Sequence, residues 1–284
     1  MKRIMVKVLK QGLLSTIQDS GRLGCGHLGV PESGAMDAAS ALMANTILGN
    51  NANAAVIEMT LIGMHLKFLA ETVICISGAD MSACLNGISI QLNKRIKIES
   101  SDLLTFGPAI MGCRTYLAVL GGFKTDKILS SRSFYHSITS NSVLKKGDVI
   151  KFTPSTSHFL DDYAKLKPNN FEASELAVYQ GPEFDMLEQE QQERLFNQNF
   201  SISKFNNRMA YQLNETLENS LSPIITSAVL PGTVQLTPNG NLIILMRDAQ
   251  TTGGYPRILQ LSESAINLLS QKKVKDAVQF SSLD

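Results

Sequence analysis

Two stretches of the sequence concentrate residue types that bind and polarise small molecules. The first is Gln18-Asp19-Ser20-Gly21-Arg22-Leu23-Gly24, continued by Gly29-Val30-Pro31-Glu32-Ser33-Gly34-Ala35-Met36-Asp37. Five glycines lie between Gly21 and Gly34 inclusive. Glycine allows positive φ and has no side chain, so such a loop can bring backbone N–H groups against a ligand. The loop runs into a helix that Asp37 can cap, and a helix N-terminus favours anions. Arg22 has the fork to hold a carboxylate or phosphate through two parallel hydrogen bonds. The competing reading is a tight structural loop in which Asp19 and Arg22 pair with each other. The Gly-Lys-Ser/Thr ending of a phosphate-binding P-loop is missing.

The second stretch is Arg247-Asp248-Ala249-Gln250-Thr251-Thr252-Gly253-Gly254-Tyr255-Pro256-Arg257, directly after the apolar run Leu242–Met246. Polar groups at the mouth of a barrel are a common way to build a ligand site. A loop of buried polar side chains bonded to one another is the alternative. The two stretches lie more than 200 residues apart. Each combines an arginine, an aspartate and glycines, which a barrel core does not require. They are therefore expected to line one polar pocket, within one chain or where two chains meet. Arg22 and Arg247 would then matter for activity and little for stability. If they instead pair with buried carboxylates such as Glu58, stability suffers. Weaker candidates are Gly78-Ala79-Asp80, Ser130-Ser131-Arg132-Ser133-Phe134-Tyr135 and Asn207-Arg208-Met209-Ala210-Tyr211, each of which reads more simply as a solvated turn. No serine-centred nucleophile elbow is present.

The elements that must position these residues are short strands. Met64, Leu66 and Phe68 alternate onto one face. Asn86-Gly87 sits between strand-like runs and suits a type I′ hairpin, whose two turn positions need positive φ. A second hairpin is expected at Thr237-Pro238-Asn239-Gly240. The pattern Asp-x-x-x-Phe recurs at Asp102–Phe106, Asp148–Phe152 and Asp276–Phe280, each reading as a turn followed by a strand or as chance similarity. Three helices are expected: Asp37-capped through Leu48 with Gly49 as stop, an acidic surface helix from Phe184 to about Phe196, and a last one from Ser262 or Glu263 to Ser270. The stretch from Thr153 to Asn170 reads as the connection between two halves. The fold is thus expected to be mainly β, favouring barrels, with a few short helices.

Composition excludes several classes. The 284 residues are 44% hydrophobic and 18% charged with net charge +1, and the 26 basic residues are scattered, which argues against a nucleic-acid surface. The apolar runs are strand-sized and the N-terminus lacks an apolar core of signal-peptide length, so no membrane association and a cytoplasmic location are expected. Cys25, Cys75, Cys84 and Cys113 show no CxxC, and His27, His65, His136 and His158 no HxxxH. Reduced core thiols and no dedicated metal site follow.

The motifs then become familiar. Thr16–Arg22, Gly29–Asp37, Ala44-Asn45, Leu48-Gly49-Asn50, Glu58-Met59-Thr60, Gly78-Ala79-Asp80, Ser131-Arg132-Ser133, Arg208-Met209-Ala210-Tyr211 and Arg247–Tyr255 occur in the order of the allophanate hydrolase subunit 2 family, which the chain resembles over nearly its whole length. It departs at Cys25, where an aromatic residue is usual, at Asn207 in place of an acidic residue, and at Lys275-Asp276 in place of Gly-Asp. The resemblance implies cyclophilin-like β-barrel architecture, and the hairpins, short strands and connection lead to two barrel-like halves, residues 1–154 and 171–284, between which strands can cross. It implies an enzyme subunit that, with the A and B subunits of a bacterial 5-oxoprolinase (B from the allophanate hydrolase subunit 1 family), cleaves 5-oxo-L-proline to L-glutamate using ATP and magnesium. The small-molecule site would take Asp19, Arg22, Arg247 and Asp248 as catalytic residues. Gln18, Gly34, Ala35, Met36, Asp80, Arg132, Arg208, Gln250, Thr251, Thr252, Gly253, Gly254 and Tyr255 would bind substrate. Asp19, Asp80 and Asp248 would orient the arginines or help hold magnesium. Two other family roles are the carboxyltransferase half of a biotin-dependent urea or amide carboxylase, and a non-catalytic regulator of a kinase-inhibitor protein. The biotin-attachment sequence Ala-Met-Lys-Met is absent, so this chain carries no covalent biotin of its own.

Overall fold

The structure is a computed structural model that describes residues 5–153 and 170–283, so the predicted connection over 153–170 falls almost wholly outside the described residues. The chain divides into two compact units. One comprises Met1–Arg22 and Ser33–Asn170, the other Leu23–Glu32 and Phe171–Asp284. The ten residues Leu23–Glu32 of the glycine-rich loop thus belong to the second unit, although its flanks belong to the first.

The first unit contains strands β1 (Met5–Lys10), β2 (Leu14–Gln18), helix α1 (Ala38–Leu48), β3 (Val56–Thr60), β4 (His65–Phe68), β5 (Thr72–Asp80), β6 (Cys84–Leu85), β7 (Ile88–Ser89), β8 (Ile96–Ile98), β9 (Leu103–Thr105), β10 (Met111–Val119) and β11 (Val149–Lys151). They form a six-stranded sheet, β11-β1-β4-β9-β6-β7, and a five-stranded sheet, β2-β3-β10-β5-β8. Ile17, Ile57, Met59, Ile74, Ile76, Leu117 and Val119 of the second sheet share one core with Val6, Val8, Leu66, Phe68 and Leu104 of the first. The opposite face of the five-stranded sheet, Val56, Val73, Cys75, Tyr116 and Ala118, is covered by Ala41, Ala44, Ile47 and Leu48 of α1. β3 is therefore buried along its whole length, which explains why its sequence lacks alternation. Burial pushes the Cys75 thiol up to about 12, as suits a core thiol. Asp37 caps α1 by accepting from Ser40 N, and Gly49 ends it in the left-handed region at φ 68°.

The second unit contains β12 (Glu175–Gln180), α2 (Gln189–Asn197), β13 (Phe200–Asn206), β14 (Ala210–Thr216), β15 (Ser227–Ala228), β16 (Thr233–Leu236), β17 (Asn241–Leu245), β18 (Thr252–Gly253), β19 (Arg257–Leu261), α3 (Glu263–Ser270) and β20 (Ala277–Ser282). Seven of these close into a barrel, β12-β19-β16-β17-β14-β13-β20, sealed by the parallel pair β12–β20. Closure removes the sheet edges. A separate ribbon, β15–β18, is formed by Ser227–Ala228 and Thr252–Gly253. The expected helix over 184–196 is broken. A 3-10 turn covers Phe184–Met186, Leu187 turns extended and buried, and Glu188 starts α2, its N–H donating to Gln191 Oε1 at 2.8 Å. Among the described residues no helix is long and apolar enough to cross a membrane.

The Asp-x-x-x-Phe recurrence is a repeated turn-and-strand device. In all three places the aspartate ends a four-residue turn whose third residue has positive φ: Ser101 at 83°, Gly147 at 97° and Lys275 at 75°. That is the φ of a type II turn. The aspartate carboxylate accepts from the first turn residue, Glu99 N, Lys145 N or Lys273 N, at 2.8 Å in each case. The turn then clamps a neighbouring strand residue between two backbone hydrogen bonds, at Phe68, Val8 and Ile202 respectively. Lys275 stands in the left-handed position that Gly147 fills without strain, as the family pattern implied. Replacing Asp102, Asp148 or Asp276 singly by alanine should each cost about 1 kcal/mol of stability, measured by denaturant unfolding. A change near zero at all three would show that the carboxylates do not hold the turns.

Candidate functional site

In the first unit the glycine-rich loop and the 131–133 segment meet through one carboxylate. Asp19 is 5% exposed at the end of β2. Its Oδ1 accepts from Gly21 N at 3.0 Å, Ser131 Oγ at 2.6 Å and Ser133 Oγ at 2.8 Å, and its Oδ2 from Arg132 N at 2.6 Å. Arg22 is 1% exposed and donates through Nη2 to Ser133 O. Asp19 and Arg22 thus both clasp the 131–133 segment. Gln18 is fully buried beside them, its Nε2 donating to Thr16 Oγ1 at 2.9 Å. Gly34 packs edge-on against this turn. A Cβ there would lie 3.1 Å from Gly21 N, at a φ of +90°, so glycine is needed for close approach of backbone to backbone and not only for a ligand. Ala35 N donates to Asp19 O at 3.0 Å, and Met36, fully buried, donates through its N–H to Glu58 Oε2 at 2.8 Å.

Glu58 is the buried carboxylate singled out in the sequence. It accepts from Tyr116 Oη at 2.9 Å and lies 4.0 Å from Arg114 Nε. Tyr116 in turn accepts from Asp37 N at 2.8 Å. Burial, then the charges of Glu58 and Asp37, hold the Tyr116 phenol well above its ordinary range, so it stays a neutral donor. Arg114 and Tyr116 escaped the sequence reading because they sit inside the run Met111–Val119, where a strand gives no sign of which polar residue meets a partner. Asp80 is not brought to this place. Gln18 pairs with Val56 at one end of the five-stranded sheet, and Asp80 with Met111 at the other, its Oδ1 accepting from Ser82 N at 2.8 Å.

The second unit holds the other set. Arg208 and Asp248 form a bidentate pair, Nε–Oδ2 2.7 Å and Nη2–Oδ1 3.0 Å, buried to 8% and 13% side-chain exposure. Arg247 reaches Glu263 in the first turn of α3, Nη1–Oε2 at 3.2 Å and Nη2 to Oε1, where the glutamate is 61% exposed. Glu32, from the middle of the glycine-rich loop, stands beside this pair. Burial raises its pKa, Arg247 opposes the rise and Glu263 adds to it. Beneath the ribbon, Gln235 of β16 is 2% exposed and its Nε2 has no partner among the described residues; nor has the buried Gln250 Oε1. A Cβ at Gly253 would collide with the Gln235 amide. Unmatched buried amide groups are uncommon and mark places where a ligand can complete the bonding. Thr251, Gly253 and Gly254 are half-buried and Tyr255 is 39% exposed, so this loop offers both buried and open groups. Gln235 was missed because a lone glutamine in an apolar strand carries no motif.

The long order of shared motifs now has a quantitative counterpart. The model for the carboxyltransferase domain, subdomain A and B, matches residues 28–282. The chain belongs to this family. It is 29% identical to the C subunit of the Escherichia coli 5-oxoprolinase over 97% of this chain and 90% of that one. It is also 29% identical to the urea amidolyase of Saccharomyces cerevisiae, again over 97% of this chain but only 16% of that protein. The structure of the Kluyveromyces lactis urea carboxylase superposes with a TM-score of 0.89 and 27% identity, covering 100% of this chain and 28% of that one. The mainly β fold is that of carboxyltransferase domains.

Burial changes what is expected of the arginines. Arg22 was expected to be separable from stability. Fully buried and bonded to Ser133 O, it is instead expected to cost about 3 kcal/mol or more when replaced by alanine, as Arg208→Ala is by stranding Asp248; thermal or denaturant unfolding measures both. Glu32 gives a pH test. A carboxylate with a raised folded-state pKa loses stability as pH climbs from its unfolded to its folded value. Glu32→Gln should therefore raise the melting temperature at neutral pH, the gain vanishing below the ordinary glutamate range. A gain independent of pH would rule out this cause.

Proposed function

We propose that the chain is a subunit of an ATP-dependent 5-oxoprolinase, working in the cytoplasm with an A subunit and a B subunit to cleave 5-oxo-L-proline to L-glutamate. The observation that carries this reading is the reach of the similarity to the Escherichia coli 5-oxoprolinase chain, which covers 97% of this chain and 90% of the relative. Similarity to urea amidolyase covers a sixth of that protein and leaves the rest of its chemistry unmatched.

The chemistry needs groups that favour charge on oxygen. A lactam is a poor electrophile, and phosphorylation of its oxygen would give hydrolysis a good leaving group. The nearest such groups on this chain are at the Arg247–Tyr255 loop. Arg247 is held by an exposed glutamate that a substrate oxyanion can displace, and the Gln250 and Gln235 amides have hydrogen-bonding capacity left. Asp248 keeps Arg208 in one orientation. Asp19, by contrast, already accepts from four donors, which fits a positioning role better than proton transfer.

Magnesium does not fit on the carboxylates named for it. Asp19 is committed to the 131–133 segment, Asp80 to its own turn and Asp248 to Arg208, and among the described residues no group of three or more His, Cys, Asp or Glu converges. In this reading the metal and the nucleotide's metal-bound phosphates are held by partner subunits, and no step is assigned to magnesium here. A second reading, carboxyl transfer to an amide or urea, is favoured by the superposition on urea carboxylase and would use the same oxyanion-stabilising groups.

The purified chain should release no glutamate from 5-oxoproline and ATP, and adding the A and B subunits should restore release. In that complex Arg247→Ala should lower turnover about a hundredfold, roughly 3 kcal/mol. Its melting temperature should fall less than that of Arg208→Ala, because Glu263 is exposed and only the half-buried Glu32 loses a favourable charge. Turnover by the isolated chain, or an inactive three-part complex that instead carboxylates urea with a biotin carrier, would overturn the reading.

A further inference from the structure

The groups invoked above for lactam cleavage leave aside a cleft of about 610 Å³ in the first unit, between the Gly49–Ala55 turn after α1 and the Leu120–Arg132 segment after β10, although the resemblance gave one of its residues, Arg132, a substrate-binding role. Three cations, Lys124, Lys127 and Arg132, line it, and among the described residues no acidic one does. Asp126, between the two lysines in sequence, lines a neighbouring smaller cleft instead. The Arg132 guanidinium and the Lys127 ammonium have no hydrogen-bond or ion-pair partner among the described residues. Lys124 donates to Gly121 O at 2.6 Å, which leaves two of its three N–H bonds unengaged. On the other wall, Asn51 and Asn53 use their side-chain oxygens internally, on Asn53 N, Ser20 N and Ser20 Oγ, and among the described residues their amide donors meet no acceptor.

The gathering of like charges is built into the fold. Asp19 fixes the Arg132 backbone at 2.6 Å, and Asn50 Oδ1 fixes Gly121 N at 2.7 Å, so both walls are tied to the sheet. Asp19 is not among the residues that line the cleft. The repulsion is felt. Burial first, then Arg132 and Lys127, lower the Lys124 pKa. Surface lysines not held together usually splay apart into water. Three cations carried on one anchored segment, with open amide donors and no carboxylate among the described lining residues, suit an oxyanion carrying more than one charge.

We propose that this cleft is a binding site for a phosphate-bearing ligand, held by Lys124, Lys127 and Arg132 with the Asn51 and Asn53 amides as further donors. The inference does not rest on the 5-oxoprolinase reading and survives its failure. Inorganic tripolyphosphate is the probe, titrated into the full chain by calorimetry and by thermal shift. Binding should raise the melting temperature and weaken as sodium chloride is raised. Lys124→Gln and Arg132→Gln should each weaken it about tenfold or more, since a hydrogen bond to a charged group is worth about that factor. Lys97→Gln, an exposed change on β8, should leave it intact. If Arg132→Gln fails to fold, the exposed Lys127→Gln takes its place. ATP without magnesium, run alongside, separates the sources of the phosphate. Tighter binding than tripolyphosphate points to a nucleotide, and equal binding to the phosphate chain alone. No binding to the unaltered chain, equal binding by the variants, or the same thermal shift from chloride at matched ionic strength would each overturn the proposal.

Discussion

The first unit's polar machinery depends on the carboxylate of Asp19. A buried charge in a protein needs several donors to replace the water it loses. Asp19 finds them in Gly21 N, Ser131 Oγ, Ser133 Oγ and Arg132 N, at 2.6 to 3.0 Å. One side chain thereby joins the turn after β2 to a segment more than 110 residues away. Gly34 can then lie flat on Gly21, and Ala35 and Met36 can hand the chain on to α1. The Glu58–Tyr116 pair fixes the far side of the same loop through Met36 N and Asp37 N. What reads in the sequence as a ligand loop is thus also the joint at which the chain leaves the sheet, enters the second unit for ten residues and returns.

The second unit solves a different problem. Its barrel is closed, so its strands are satisfied and its polar residues are free to be arranged outside the apolar interior. Along β16, Val234 and Leu236 take one face while Gln235 takes the other, under the β15–β18 ribbon. The arginines of this unit are graded by exposure of their partners. Asp248 is nearly buried and makes Arg208 rigid, while Glu263 is mostly exposed and leaves Arg247 exchangeable. That gradation separates a structural cation from one able to meet a substrate, and no feature of the sequence around either arginine distinguishes them.

Several elements were legible because local chemistry decides them. Asp37 and Gly49 bracket α1 since a cap oxygen and a left-handed stop act within one turn. Asn86-Gly87 makes its hairpin with φ of 51° and 82°, as a type I′ turn requires. The Asp-x-x-x-Phe turns are likewise self-contained, each aspartate bonding the residue three places before it. The break at Leu187 was not legible. Leu187 is pulled into the barrel's surface by burial, a tertiary gain that overrides continuous helix. In the site, the residue types of both polar loops were visible, but their roles were not. Arg22 and Arg247 look alike in the chain, yet one is 1% exposed on a backbone carbonyl and the other faces a solvated glutamate.

The sequence by itself determined the mainly β character, the caps, the hairpins, the family and the two polar loops, because these depend on residue type, short spacing and motif order. Only the tertiary structure decided which polar groups meet. Asp19 with Ser131 and Ser133, Gln235 beneath Gly253, and Lys124 beside Arg132 are pairings across sheets and loops. Strand registry and burial set those encounters, and burial also sets whether a charge is a strut or an available hand. The physical reason is one of range. Turns and caps close over three or four residues, whereas the energy of a charge depends on everything the fold places within a few ångströms of it.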